Sequence, residues 1–420
     1  MTHFEQGWIS PNQVFYNLVN LRQICFEVTD ACNLACKYCV YREFYLDHDE
    51  RHGIKMSFPM GKNLIDYLCQ IWHNNPTGRQ KNVTRIGFYG GEPLLNMSFI
   101  QQMVDYVKSL RIDREFDFGM TTNGVLLDKH MDFLAKNNFQ LVISLDGDSE
   151  GDAYRITKKG ESSFGTVFSN CKKLMLKYPS YFNKSVSFNS VLHSKNSVGS
   201  IRDFIQKEFN KNPMISEVNP RGLNPAKKDD FMALYKNKME SVLQEKESIA
   251  LEEEMFMENP RTLSLYHQLV KNSGNFFGDY LDLFRGDNTE ETYKPCDGTC
   301  TPFSRKLFLA VSGKVFQCER CGQSFPLGKV DEKQVELDVQ VVAEKVNSLL
   351  SKADRICSKC ADRQTCYTCL YSLIGLDGEK PRCLDFSSPE SVMRWKNANR
   401  EFLAENPLLY ERFVKTLHVK

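Results

Sequence analysis

The chain has 420 residues, enough for a large core and two or three domains. Its 54 Lys and Arg nearly balance 53 Asp and Glu, and no basic stripe interleaved with aromatics is present, so nucleic acid is not indicated as a partner. Met1-Thr2-His3-Phe4-Glu5-Gln6 lacks a positive leader and apolar run, and no stretch approaches about 18 consecutive apolar residues, so the expectation is a soluble cytoplasmic protein with no membrane role.

Residues 1–23 form a short N-terminal segment. From 24 to 222, short apolar runs alternate with longer segments of helical period. Strands are expected at Ile24–Val28, Arg85–Tyr89, Phe116–Met120, Gln140–Ser144, Ser185–Ser190 and Ile215–Val218. One intervening helix places Phe99, Met103, Val107 and Leu110 on a stripe after Ser98, a candidate cap. Another begins near Asp128 and carries Met131 and Leu134. Strands alternating with helices predict an α/β fold with a parallel sheet, either open or closed as a barrel.

Residues 223–290 change character. A charged stretch from Lys227-Lys228-Asp229-Asp230 to Glu252-Glu253-Glu254 carries Phe231, Leu234, Met239 and Val242 at its apolar positions. It reads as a helical connector with a solvated charged face. Residues 291–386 are cysteine-rich, with short elements. Two strands, Leu307–Val311 and Lys314–Gln317, are expected about a two-residue Ser312-Gly313 turn, where glycine supplies the positive φ. Residues 387–420 read as a helical tail containing Trp395, Phe402 and Leu403.

The chain has 15 cysteines, many for a reducing compartment, where clustered cysteines point to metal ligands rather than disulfides. Cys25, Cys69 and Cys171 stand apart and read as packing. The other twelve group at 32–39, 296–321 and 357–383. Cys32, Cys36 and Cys39 follow the first strand in a CxxxCxxC spacing. Three thiolates leave one iron of a four-iron cluster without a protein ligand. On spacing alone, zinc and iron–sulfur stand about equal, since zinc also favours closely spaced cysteines.

The neighbouring motifs change that balance. Gly90-Gly91-Glu92-Pro93 follows the second strand, Thr121-Thr122-Asn123-Gly124 the third, and Ser144-Leu145-Asp146-Gly147 the fourth. All lie at C-terminal strand ends, where parallel α/β barrels assemble active sites.

On these residues the chain resembles the radical SAM superfamily. Cys32-Asn33-Leu34-Ala35-Cys36-Lys37-Tyr38-Cys39 matches its signature, with the aromatic before the third cysteine. Gly90-Gly91-Glu92-Pro93 matches the segment that contacts the methionyl amino group of S-adenosyl-L-methionine (SAM). The resemblance implies a partial (β/α)6 TIM-like barrel and a 4Fe–4S cluster whose vacant iron is chelated by SAM. One electron, from a donor such as flavodoxin or ferredoxin, would release a 5′-deoxyadenosyl radical. Tyr38 would pack near the adenine, with Asn123, Ser144 and Arg155 near the ribose and carboxylate. Before Arg155 the sequence reads Asp152-Ala153-Tyr154, where related enzymes often carry a His-Asp pair.

The later cysteines resemble the SPASM domain, a small cysteine-rich module with two auxiliary 4Fe–4S clusters. Cys300, Gly313 and Cys318 fit the first half of its pattern. Cys357, Cys360, Cys366 and Cys383 fit the second, while Cys369 arrives one residue early. The resemblance assigns Cys357, Cys360, Cys366 and Cys383 to the outer cluster. Cys300, Cys318 and Cys369 go to the inner one, completed by Cys296 or Cys321, with Cys296 favoured, or left with an open site. The alternative is paired zinc knuckles in a non-catalytic interaction protein.

SPASM enzymes mostly modify peptides or proteins. The run from Cys300 through Arg305-Lys306-Leu307-Phe308 to Leu327-Gly328-Lys329-Val330 looks like maturases of ribosomally made peptides. The leading expectation is hydrogen abstraction from a precursor-peptide residue, followed by a thioether or carbon–carbon crosslink. Glu319, beside a cluster ligand, is the candidate base. The runner-up is anaerobic sulfatase maturation, oxidising a Cys or Ser to formylglycine. Because only about 23 residues precede the first strand, leader recognition is expected on another surface, on a separate protein, or not at all.

Overall fold

The computed structural model describes residues 7–46, 48–75, 83–220, 222–245, 262, 265–266, 294–363 and 366–418. Most of the expected connector, from 246 to 290, lies outside the described residues. The chain packs as two compact units. One comprises Ile9–Lys246 with Thr301–Lys345, and the other Met1–Trp8, Glu247–Cys300 and Val346–Lys420.

The larger unit opens with α1 (Pro11–Val19), whose start is a reciprocal cap. Gln13 N–H donates to Ser10 Oγ at 3.2 Å and Ser10 N–H to Gln13 Oε1 at 2.9 Å, with Pro11 preset for the first turn. The strands β1 (Gln23–Thr29), β2 (Val83–Gly90), β3 (Glu115–Thr122), β4 (Gln140–Ser144), β5 (Val186–Leu192) and β6 (Met214–Glu217) then follow. They pair in parallel and in chain order. Helices α2 (Phe58–Asn74), α3 (Met97–Ser109), α4 (Leu127–Lys136), α5 (Phe164–Lys177), α6 (Pro179–Ser185) and α7 (Val198–Phe209) connect them. Two short helices, α8 (Lys228–Leu234) and α9 (Lys238–Leu243), follow β6. This is the expected α/β architecture of six parallel strands with crossover helices.

Alternate strand residues explain the core. Phe26 and Phe88 meet Phe99 of α3, with Phe26 and Phe99 rings 5.6 Å apart, while Phe118 stacks on Phe139 at 5.4 Å. Each fully buried ring contributes roughly 2–3 kcal/mol. The opposite face of β1 is also buried, through Cys25, Glu27 and Thr29. Burial on both faces is why this strand reads as a nearly continuous apolar run.

Three local expectations are corrected. Ser98 does not cap α3; the helix starts after Asn96. The Asn96 amide instead donates to Val28 O (2.7 Å) and Met56 O (3.1 Å), tying the helix start to β1. The hairpin of β7 (Leu307–Leu309) and β8 (Lys314–Phe316) turns through a longer loop than the two residues expected. Ala310 N–H donates to Lys314 O and Gly313 N–H to Ala310 O, both at 2.9 Å, with Gly313 at φ +83. That geometry suits a three-residue loop ending in a left-handed residue. Finally, the hairpin joins the barrel's own sheet. β7 pairs in parallel with β1, and β8, β9 (Gly328–Val330) and β10 (Val335–Glu336) extend it antiparallel. The free edge of β1 is thereby covered.

The smaller unit holds most of the later cysteines and the terminal helices α11 (Pro389–Glu405) and α12 (Pro407–His418). Before them runs α10 (Val339–Cys357), within which the boundary between the units falls. In this unit Leu370 N–H donates to Thr299 Oγ1 at 2.7 Å. A Cβ on Gly298 would lie 1.9 Å from Tyr367 O, so only glycine allows that approach. Leu265 packs among Phe402, Leu403 and Leu409.

Candidate active site at the strand ends

The loop leaving β1 carries Cys32, Cys36 and Cys39, all free thiols of intermediate exposure. Backbone hydrogen bonds fix it on two sides. On one side Gly91 N–H donates to Thr29 O and Glu92 N–H to Ala31 O, both at 2.9 Å. On the other, Ala35 N–H donates to Ile156 O (2.6 Å) and Lys37 N–H to Tyr154 O (3.0 Å). A Cβ on Gly91 would come within 2.1 Å of Ala31 O, and one on Gly90 within 2.2 Å of Thr29 O. The glycine pair is therefore what lets the β2 end lie against the cysteine loop.

Glu92 joins this arrangement to β3. Its carboxylate is fully buried and accepts from Thr122 Oγ1 (2.7 Å), Leu94 N–H (3.1 Å) and Asn123 N–H (2.7 Å). Burial pushes its pKa up, and the three donors pull the other way. Asn123 in turn donates through Nδ2 to Asn33 Oδ1 at 2.7 Å and lies 3.7 Å from Cys32 Sγ. Cys32 Sγ also accepts Leu34 N–H at 3.4 Å. Pro93 opens the short helical turn Pro93–Asn96. Ser144 ends β4, opposite Asn189 of β5.

Burial pushes the Cys32 and Cys36 thiols up, Cys36 to about 12, while the Arg155 guanidinium opposes the rise at Cys36. Thiolates here need a positive partner. Three thiols on one loop, amide donors aimed at one sulfur and a guanidinium beside another fit a cationic iron–sulfur core. Among the described residues, no three His, Cys, Asp or Glu side chains converge tightly enough to hold a single metal ion.

The sequence did not single out the carboxylates and imidazole around Tyr38. Tyr38 OH donates to Asp146 Oδ2, and Arg155 Nη1 donates to Tyr38 OH at 2.8 Å. Arg155 also lies 3.8 Å from Asp146 and 3.9 Å from Asp152. Burial and the Asp146 charge raise Asp152 to about 8. His193, at the end of β5, stacks on Tyr38 with ring centroids 5.7 Å apart. The available signal was Asp146 itself, within the Ser-Leu-Asp-Gly turn, and the Asp152–Arg155 spacing.

The later cysteines form two close pairs. Cys318 and Cys321 Sγ atoms stand 3.6 Å apart in the larger unit. In the smaller unit Cys296 and Cys357 Sγ atoms stand 3.7 Å apart. In each pair one thiol lowers the other: Cys321 brings Cys318 to about 7, and Cys296 brings Cys357 to about 7. The structure thus sets Cys296 against Cys357 of the expected outer set, and Cys321 against Cys318. Cys366 and Cys383 feel the Cys357 charge, and Cys360 Sγ accepts Ser387 N–H at 3.4 Å. Cys369 N-caps the Leu370–Ser372 turn, while Cys300 is of intermediate exposure. Glu319 is paired with Lys306 at 2.9 and 3.1 Å.

Residues 26–207 match the Radical SAM superfamily. The chain is 25% identical over 327 residues to the radical SAM cyclopropyl synthase TigE of Paramaledivibacter caminithermalis, covering 74% of this chain and 60% of that protein. It is 26% identical over 227 residues to the cysteine-type anaerobic sulfatase-maturating enzyme of Clostridium novyi, covering 51% of this chain and 58% of that one. The chain therefore spans less than two thirds of either relative. The structure of anSMEcpe with bound AdoMet and the Kp18Cys peptide superposes with a TM-score of 0.56 at 17% identity, over 95% of this chain and 99% of that one. That likeness is one of fold. Among the described residues, no helix is long and apolar enough to cross a membrane.

Proposed function

We propose that the chain is a radical SAM peptide maturase that abstracts hydrogen from a residue of a ribosomally made precursor peptide, leading to a thioether or carbon–carbon crosslink. The observation that carries this reading is the seating of the three-cysteine loop between the Gly90-Gly91-Glu92 segment and residues 154–156. When bound, the 4Fe–4S cluster and SAM supply a 5′-deoxyadenosyl radical; the protein's part is binding, orientation and exclusion of water.

Cys32, Cys36 and Cys39 would hold the cluster. Gly90, Gly91, Glu92 and Pro93 would face the methionyl amine, with Tyr38, Asn123, Ser144 and Arg155 around the rest of SAM. Two auxiliary clusters would draw on Cys296, Cys300, Cys318, Cys321, Cys357, Cys360, Cys366, Cys369 and Cys383. Cys321 has its support as a ligand in its 3.6 Å approach to Cys318. Glu319 would serve as base, in an ion pair with Lys306 at 2.9 Å. A flavodoxin or ferredoxin would deliver the electron.

Formylglycine formation on a sulfatase is the second reading, favoured by the likeness to sulfatase-maturating enzymes. Incubating the anaerobically reconstituted chain with SAM and dithionite should release 5′-deoxyadenosine. Mass spectrometry then separates the readings. A crosslinked precursor loses two hydrogens, whereas a sulfatase-motif Cys peptide converted to formylglycine also exchanges sulfur for oxygen. Absence of 5′-deoxyadenosine from iron-loaded protein would remove both.

A further inference from the structure

Tyr38 needs only its ring to stack on a base, yet its hydroxyl is held by both an acceptor and a donor. The acceptor, Asp146, is fully buried at the end of β4. Besides Tyr38, its carboxylate accepts Val191 N–H at 2.9 Å. Its own N–H donates to Asp152 Oδ1 (3.0 Å) and its carbonyl accepts Asn196 Nδ2 (3.0 Å). The donor, Arg155, is 7% exposed, and its Nε makes no hydrogen bond. His193 is fully buried with Nε2 3.7 Å from Asp146 Oδ2. Lys195 N–H approaches His193 Nδ1 at 3.2 Å, and Asn196 Nδ2 lies 3.3 Å from Nε2.

These contacts reach the cysteines through the backbone. Tyr38 lies between Cys36 and Cys39, and the two residues flanking Arg155 accept Lys37 and Ala35 N–H. The loop and the guanidinium therefore share one seat. Hydrogen bonds buried in this way are costly to lose.

We propose that Asp146 is a positioning residue for the three-cysteine loop, acting through the Tyr38 hydroxyl and the Arg155 guanidinium to set the orientation in which the loop receives SAM. The inference rests on the radical SAM reading. The His193 ring stacks on the Tyr38 ring at 5.7 Å between centroids. The competing role for Asp146 is purely architectural: with Val191, Asp152 and Asn196 it would tie strand ends together whatever Tyr38 does.

The two roles separate in Tyr38→Phe, which keeps the ring on His193 and removes only the hydroxyl. The full-length chain, reconstituted anaerobically, is compared with Tyr38→Phe, Asp146→Asn and the double variant. The readouts are iron content, KM and kcat for SAM cleavage, and the electron paramagnetic resonance (EPR) change on adding SAM to the reduced protein. A charge-assisted hydrogen bond of this kind predicts that either single variant keeps its iron but raises the SAM KM roughly tenfold or more, with a smaller change in kcat. The double variant should be little worse than either single one. An unmoved KM and EPR response in Tyr38→Phe would overturn the proposal, as would effects that multiply. If Asp146→Asn does not fold, Tyr38→Phe decides alone. Iron-loaded wild type that neither binds nor cleaves SAM sinks the parent reading and this inference together. Wild-type cleavage with an unaffected Tyr38→Phe sinks this inference only.

Discussion

The cysteines at the end of β1 and those of the smaller unit are held in different ways. Around Cys32, Cys36 and Cys39 the protein supplies the scaffold: two backbone seams, the fully paired Glu92 carboxylate and the Tyr38 relay. In the smaller unit, thiol faces thiol. Cys296 and Cys357 approach to 3.7 Å, a contact that lowers the Cys357 thiol and raises that of Cys296. The first site is preformed by the fold. The second is drawn together by chemistry that the metal itself would complete.

The largest test of this difference is functional. Cys32→Ala should abolish SAM cleavage, whereas Cys357→Ala should spare at least part of it while blocking the modified peptide. Equal losses of 5′-deoxyadenosine in the two variants would erase the distinction.

A smaller effect should follow in protein prepared without iron. Hydrogen exchange should leave the amides of β2 and β3 protected, because phenylalanine packing secures them. Amides near 296–300 and 357–370 should lose protection. Uniform protection in both regions would show that the smaller unit is preformed as well.

The smallest is a slope with pH. Asp152 rises from the ordinary 3.8 to about 8, chiefly by burial. Between those values the folded chain keeps a proton that the unfolded chain releases, so stability falls as pH rises through that window. Asp152→Asn should flatten the decline in Tm between pH 5 and pH 8, by about a few °C. A slope identical to wild type would place the proton elsewhere.

Why one site was legible and the other was not has the same physical root. Strands buried on both faces announce themselves as apolar runs such as Ile24–Val28, and their C-terminal ends put Gly90-Gly91-Glu92 and Asn123 in short contiguous motifs. The glycines could be read because backbone approach leaves no room for a Cβ. Asp146 and His193 follow different strands and meet only in the folded protein, so no local pattern marks their relation. The approach of Cys296 to Cys357 joins residues 61 apart in sequence. Spacing constrained those cysteines to a set without ordering its members. The β7–β10 extension was grouped with the cysteines by composition, although the open edge of β1 claims it in space.

The claim on which the account depends is that the three-cysteine loop holds a cluster with one iron open to SAM. Low-temperature EPR of the dithionite-reduced protein, before and after SAM is added, tests it most directly, with Cys32→Ala as the control. The account predicts a signal that changes with SAM and is missing from the variant. A wild-type spectrum indifferent to SAM, or the same SAM-responsive signal in Cys32→Ala, would contradict it.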